Sequence, residues 1–110
     1  MTVNILGTDY EVVIQTEEEN PKLSDANGLC ELYSHKIVIR DIEKIKEEPN
    51  CFENIEDYQK KVVRHEVIHA FFAESGLRGN SDYAENEELV DWIAIQIPKI
   101  VKVMTTLNIL

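Results

Sequence analysis

The sequence is short of positive charge. Eleven lysines and arginines stand against 21 aspartates and glutamates, giving a formal net charge of −10 at pH 7. Nucleic acids and anionic membranes recruit proteins through basic patches, so this balance argues against both as partners; the acidity itself does no more than favour solubility. Cysteine is equally scarce. Cys30 and Cys51 form no Cys-x-x-Cys pair, and the expectation is two reduced, half-buried thiols in a cytoplasmic protein, with a disulfide between them as the less favoured alternative. A zinc site joining them to His35 matches no known ligand spacing. No stretch is apolar for long enough to span a bilayer, and Met1 to Gly7 lacks the basic region and apolar run of a signal peptide. Internal repeats and low-complexity segments are absent.

What remains is 110 residues, 44% of them hydrophobic, which is one domain, residues 1–110, with enough apolar material for a core. Thr2 to Leu6 and Tyr10 to Gln15 alternate as strands around a turn at Gly7-Thr8-Asp9, so they are expected to form a hairpin. Pro21, Ser24, Asp25 and Asn27 mark a loop. Gly28 to Tyr33 is a third candidate strand, and Lys36 to Arg40, rich in β-branched residues, a fourth. His35 falls in the turn between them and reads as a turn residue rather than a ligand. Asp41 is placed to cap a short helix through Glu48, stopped by Pro49.

A longer helix should start at Asn50 or Asn54, run through Phe72 and stop at Gly76. A last helix should begin between Ser81 and Asn86 and continue to about Leu107. Its apolar face is Leu89, Ile93, Ile97, Ile100, Met104 and Leu107, and Pro98 inside it should kink or split it. Strands first and helices after predict a small α+β domain. Its three- or four-stranded, mostly antiparallel sheet should pack on the longer helix, with the last helix crossing nearby.

The chemistry is concentrated on that longer helix, at His65-Glu66-x-x-His69. Residues four apart share a helix face, so two imidazoles can reach one metal ion, and zinc accepts neutral histidine nitrogens at about 2.0–2.1 Å. Glu66, one residue on, flanks such a metal and can take a proton from a water bound there. The neighbours, Val62, Val63, Val67, Ile68, Ala70 and Phe71, are apolar, and polar groups on a buried helix need partners. The alternative is a core helix whose histidines are satisfied by hydrogen bonds.

Two histidines do not complete a zinc site; a catalytic zinc takes three protein ligands and leaves one position for water. Downstream, Glu87 and Asp91 again stand four apart. Glu87 can be the third ligand, and Asp91 can hold the Nδ1–H of His65, which orients the ring and raises its basicity. Glu88 or Asp91 could serve as the third ligand instead. A solvated acidic helix start, favoured by the helix dipole, is the competing explanation of these carboxylates.

His65-Glu66-x-x-His69 followed by Asn86-Glu87-x-x-x-Asp91 resembles the gluzincin metallopeptidases. The continuation Asp91-Trp92-Ile93-Ala94 with Pro98 is similar to the small ImmA/IrrE-like zincins of phages and mobile elements. The likeness covers roughly Leu29 to Pro98. It implies zinc on His65, His69 and Glu87, Glu66 as general base and Asp91 behind His65. It also implies an edge strand, Lys36 to Arg40, beside the cleft, where a substrate chain can pair. Larger gluzincins add a C-terminal domain whose histidine stabilises the oxyanion; this chain has no counterpart, and Tyr83 is the candidate replacement.

Two functions follow as expectations. The first is a zinc-dependent peptidase acting on a peptide or protein substrate, with Glu66 taking a proton from metal-activated water and delivering it to the leaving amine. The second is a zinc-binding phage or mobile-element protein that acts without turnover by binding a partner protein. Iron, manganese, cobalt or nickel could occupy the same ligands.

Overall fold

Two segments carry three consecutive β-branched apolar residues, Val12-Val13-Ile14 and Ile37-Val38-Ile39, and the fold pairs them. In the computed structural model, which describes residues 1–110, β1 (Thr2–Ile5), β2 (Thr8–Gln15), β3 (Gly28–Glu31) and β4 (Lys36–Arg40) form one sheet. Its order is β1-β2-β4-β3. The β1/β2 and β3/β4 pairs are antiparallel, and β2 runs parallel to β4 with Val12 opposite Ile37 and Ile14 opposite Ile39. Runs that are apolar on both faces suit the interior of a sheet covered on both sides. The molecule is a small α+β domain with a mostly antiparallel, mixed sheet.

This topology corrects the expected position of Lys36 to Arg40. That strand lies inside the sheet, with Ile37, Val38 and Ile39 all buried. The edge strands are β1 and β3, and the one beside the cleft is β3, which is short and only half-buried throughout. The first turn also differs. β2 begins at Thr8, and Leu6 and Gly7 alone make the hairpin loop, with φ of 51° and 99°. Positive φ at both positions is the two-residue turn that matches strand twist. Asn4 closes it, accepting from the Gly7 N–H at 3.0 Å and donating to Asp9 at 2.8 Å. His35 lies in the turn between β3 and β4, as expected, with φ of 55°.

Three helices follow. The α1 helix (Ile42–Ile45) is a single turn capped by Asp41 and shorter than the sequence suggests. The α2 helix (Ile55–Glu74) takes Asn54, not Asn50, as its cap, and Gly76 follows its end with φ of 86°. The α3 helix (Glu87–Thr106) is capped by Asn86, whose side-chain oxygen accepts from the Leu89 N–H at 2.8 Å. The α2 helix is the middle layer. Its Val62 and Ala70 pack on Ile5, Tyr10, Ile37 and Ile39 of the sheet. Its Ile68, with Phe72, packs on Val90, Ala94, Ile93 and Ile97 of α3. No helix is long and apolar enough to cross a membrane.

Pro98 does not split α3, which runs unbroken from Glu87 to Thr106. A proline removes the N–H that would bond to the carbonyl four residues earlier, here that of buried Ala94. Arg64 on α2 supplies the missing donor: its Nε lies 2.6 Å from the Ala94 oxygen. The far end of α2 is tied to the sheet by Glu74, which accepts from Thr8 and Tyr10 hydroxyls at 2.8 Å each.

Two predictions follow from these ties. Replacing Arg64 by Met leaves the Ala94 carbonyl buried and unpaired, at a cost of about 1–3 kcal/mol. In the Pro98→Ala background the restored N–H takes that carbonyl, so Arg64→Met should cost clearly less. Urea denaturation of the four proteins measures the coupling, and additive costs would refute the link. Glu74 titrates below the ordinary carboxylate value because Tyr10, then Thr8, donate to its ionised form. Its contribution is therefore complete above the ordinary value of 4.5 and is lost as pH falls through the lowered folded value. In acid denaturation Glu74→Gln should lose less stability on the acid side than the parent chain; identical acid limbs would exclude Glu74 from that response.

Candidate metal centre

The middle of α2 and the start of α3 meet on one side of the cleft. His65 and His69, one turn apart on α2, turn their Nε2 atoms to within 3.1 Å of each other, with the rings edge to face. From α3, Glu87 brings one oxygen to 2.9 Å from His65 Nε2 and the other to 3.0 Å from His69 Nε2. Behind His65, Asp91 Oδ1 lies 3.0 Å from Nδ1 and also accepts from Lys61 Nζ at 2.8 Å. Asn86 sets this arrangement, because its cap fixes where α3 starts and therefore where positions 87 and 91 project.

The donor set is compatible with a cation. When Asp91 accepts a hydrogen bond from the Nδ1–H of neutral His65, the Nε2 of that ring is left with a lone pair. That lone pair faces a carboxylate oxygen and a second imidazole. Burial, the largest influence, holds the His69 pKa below its ordinary value, against the charge of Glu87. Separations of 2.9–3.1 Å among the converging atoms are close to the roughly 3.3 Å between neighbouring ligands of a tetrahedral zinc with bonds of about 2.0–2.1 Å. The residues present therefore fit a divalent metal on His65, His69 and Glu87.

The sequence left three carboxylates open for the third position. Glu87 reaches both Nε2 atoms. Asp91 is on the opposite nitrogen of His65, and Glu88 makes no hydrogen bond or ion pair with either ring. Ligand-type atoms of Glu66 lie within 4.8 Å of those of His65 and His69, but Glu66 bonds to neither ring. It flanks the centre. Glu66 is 6% exposed, the one charged side chain in the buried set, and its carboxylate opens onto the cleft. Burial first, then the charge of Glu87, push its pKa up to about 7, against the opposing charges of His65 and Lys61. Asp91 moves the other way, held low chiefly by the Lys61 hydrogen bond.

The opposite wall of the cleft, whose volume is about 480 Å³, is β3. Gly28, Leu29 and Cys30 line it together with the histidines, on a strand with one unpaired edge. Gly28 is required for that approach: a Cβ there would stand 2.6 Å from Val62 Cγ1 and 3.0 Å from Glu66 Cγ. Asn27 donates to the Tyr58 hydroxyl at 2.8 Å and pins the entry of β3 to α2. Arg78 and Glu85 close one end of the cleft. Cys30 and Cys51 are both free and half-buried, and burial, reinforced by Glu66, pushes the Cys30 thiol up to about 12.

Tyr83 is not brought into this cleft. On the 3-10 turn Asp82–Glu85 it is Ala84 that is buried, while Tyr83 is half exposed and outside the lining. His35 is likewise remote, tilted against Tyr10 instead. Sequence reasoning missed Lys61, Gly28 and Arg78. Lys61 had a signal, standing one helical turn before His65 on the face that carries the site. Comparison with protein-family models, with curated proteins and with solved structures finds no match to this chain.

Titration of the metal-free protein with zinc should give about one ion per chain, read by calorimetry or by metal analysis after dialysis. Affinity should fall at least tenfold in His69→Ala and Glu87→Ala and stay unchanged in Glu88→Ala. Equal loss in Glu87→Ala and Glu88→Ala would show that the geometry of α3 does not choose the ligand.

Proposed function

We propose that this chain is a minimal zinc-dependent metallopeptidase of the zincin type, acting on peptide or protein substrates. One observation carries the reading. Glu87 bridges the Nε2 atoms of His65 and His69, with the buried carboxylate of Glu66 beside them and a free strand edge across the cleft. Zinc held by His65, His69 and Glu87 would supply a Lewis acid that acidifies water and polarises a carbonyl.

The chain's own residues do the rest. Glu66, poorly solvated and unbonded, accepts a proton from the attacking water and returns it to the leaving amine. Asp91, anchored by Lys61, holds the His65 ring in one tautomer and one orientation. An extended peptide adds to the edge of β3, where backbone N–H and C=O groups are unpaired, so that its carbonyl lies between strand and helix. This replaces Lys36 to Arg40 with Gly28 to Glu31 as the substrate-pairing strand. The two free thiols suit a reducing compartment, and we assign the protein to the cytoplasm on that ground.

A second reading, zinc and partner-protein binding without turnover in a phage or mobile-element protein, gains from one observation. Tyr83, the one tyrosine next to the glutamate helix, stands outside the cleft and offers no hydrogen bond to a developing oxyanion there. Glu66→Gln separates the two. On a quenched-peptide library the zinc-loaded parent should cleave, and the variant should keep its zinc while losing at least about a hundredfold in rate. A zinc-loaded parent that cleaves nothing in the library, with intact stoichiometry, would turn the assignment to the binding protein.

A further inference from the structure

The α3 helix outruns the domain it belongs to. Ile93 and Ile97 still pack beside Ile68, Val90 and Ala94, but every residue from Pro98 to Leu110 is exposed. The radius of gyration, 14.9 Å, accordingly exceeds the roughly 13 Å of a compact chain of this length. The projecting arm is a finished helix. Asn108 turns left-handed with φ of 56°, its N–H donates to Thr105 at 3.1 Å, and the Ile109 N–H donates back to Met104 at 3.0 Å. Those are the bonds of a helix C-cap. The arm extends a helix whose first half is already packed on α2, and large apolar side chains left exposed along it mark an interaction surface.

The sequence of the arm says what kind. Val90, Ile93, Ile97, Ile100, Met104 and Leu107 recur at alternating spacings of three and four, the pattern of a helix-on-helix seam. The first half of that seam is covered by α2; Ile100, Met104 and Leu107 continue it with nothing beneath. Charge narrows the occupant. Residues 95–110 include Lys99 and Lys102 and no carboxylate side chain. The arm thus contributes +2 to the total of −10, and the rest of the chain carries −12. A second copy brings both an identical seam and the acidic surface that these lysines lack, whereas an anionic bilayer would repel the body.

We propose that the arm is a dimerisation element. Two copies pair their α3 helices antiparallel along Ile100, Met104 and Leu107, and each sets Lys99 and Lys102 against the other's acidic body. Nine large apolar residues between Trp92 and Leu110 are at least 36% exposed. Of these, Ile100, Met104 and Leu107, exposed by 39%, 36% and 62%, lie in line with the covered positions Ile93 and Ile97 and form the seam itself.

Sedimentation equilibrium of the full chain over roughly 1–100 µM tests this. The expected mass approaches twice 12.7 kDa as concentration rises. The double variant Ile100→Glu/Met104→Glu alters only exposed positions, so its circular dichroism should retain the folded domain. Its dissociation constant should rise at least a hundredfold, and that of Lys99→Glu/Lys102→Glu about tenfold. A parent chain that stays monomeric throughout would overturn the proposal, as would a dimer indifferent to Ile100→Glu/Met104→Glu. A monomeric parent that sediments with phosphatidylcholine vesicles would assign the arm to a lipid surface instead.

Discussion

The two-sided engagement of His65 is the contact on which the rest depends. Its Nδ1 meets Asp91 and its Nε2 meets Glu87, both on the first turns of α3. The same ring therefore fixes the crossing of α3 over α2 and the direction in which a lone pair is presented. Asp91 divides its Oδ1 between His65 and Lys61, which ties the helix pair together one turn further along. A change at Asp91 would loosen packing and ligand orientation at once. In this small chain the two are coupled, because α2 lines both the sheet core and the α3 interface and carries both histidines.

Charge is the second constraint. Glu66, Glu87 and Asp91 converge with one lysine, Lys61, in direct contact and Arg78 at the cleft wall. Of the three only Glu66 is buried, while Glu87 and Asp91 stay open to solvent; burying a carboxylate without compensation is costly, and that burial is the first cause of the raised pKa of Glu66. A divalent cation on the two histidines and Glu87 would relieve it and would restore Glu66 toward its ionised form. That relief of the one buried carboxylate is the physical argument behind the proposed metal site, set against a helix of hydrogen-bonded histidines.

Much of this was legible in the sequence, and what was not has identifiable causes. The spacings in His65-Glu66-x-x-His69 and Glu87-x-x-x-Asp91 fix helix faces, so they carried directly into the geometry. The position of β4 did not, because a five-residue strand with three β-branched residues at its centre reads the same at the edge of a sheet or inside it. Only its pairing with Val12-Val13-Ile14 reveals that it is interior. Gly28 was read as the start of a strand, whereas its lack of a side chain is what lets β3 approach Val62 and Glu66. Tyr83 lies outside the cleft lining, because proximity in sequence to Glu87 does not determine which side of a 3-10 turn faces the cleft. Pro98 was read by its local rule, and the rule was offset by a donor 34 positions earlier in the chain, which no local pattern announces.

That donor also gives the projecting half of α3 its meaning. Ile97 is the last residue of α3 with partial cover, and Pro98 begins the exposed run. A proline at such a boundary would ordinarily let the free part of the helix swing away. Arg64 takes the orphaned carbonyl of Ala94 and keeps the helix continuous through the boundary. The direction of the arm is thereby coupled to α2, at the residue immediately before the candidate ligand His65. A stiff arm holds its exposed seam in a defined orientation, whereas a hinged one would spend entropy to dock it. The Arg64–Ala94 bond thus serves the fold in one direction and, in the other, keeps the apolar seam of α3 aligned for a partner.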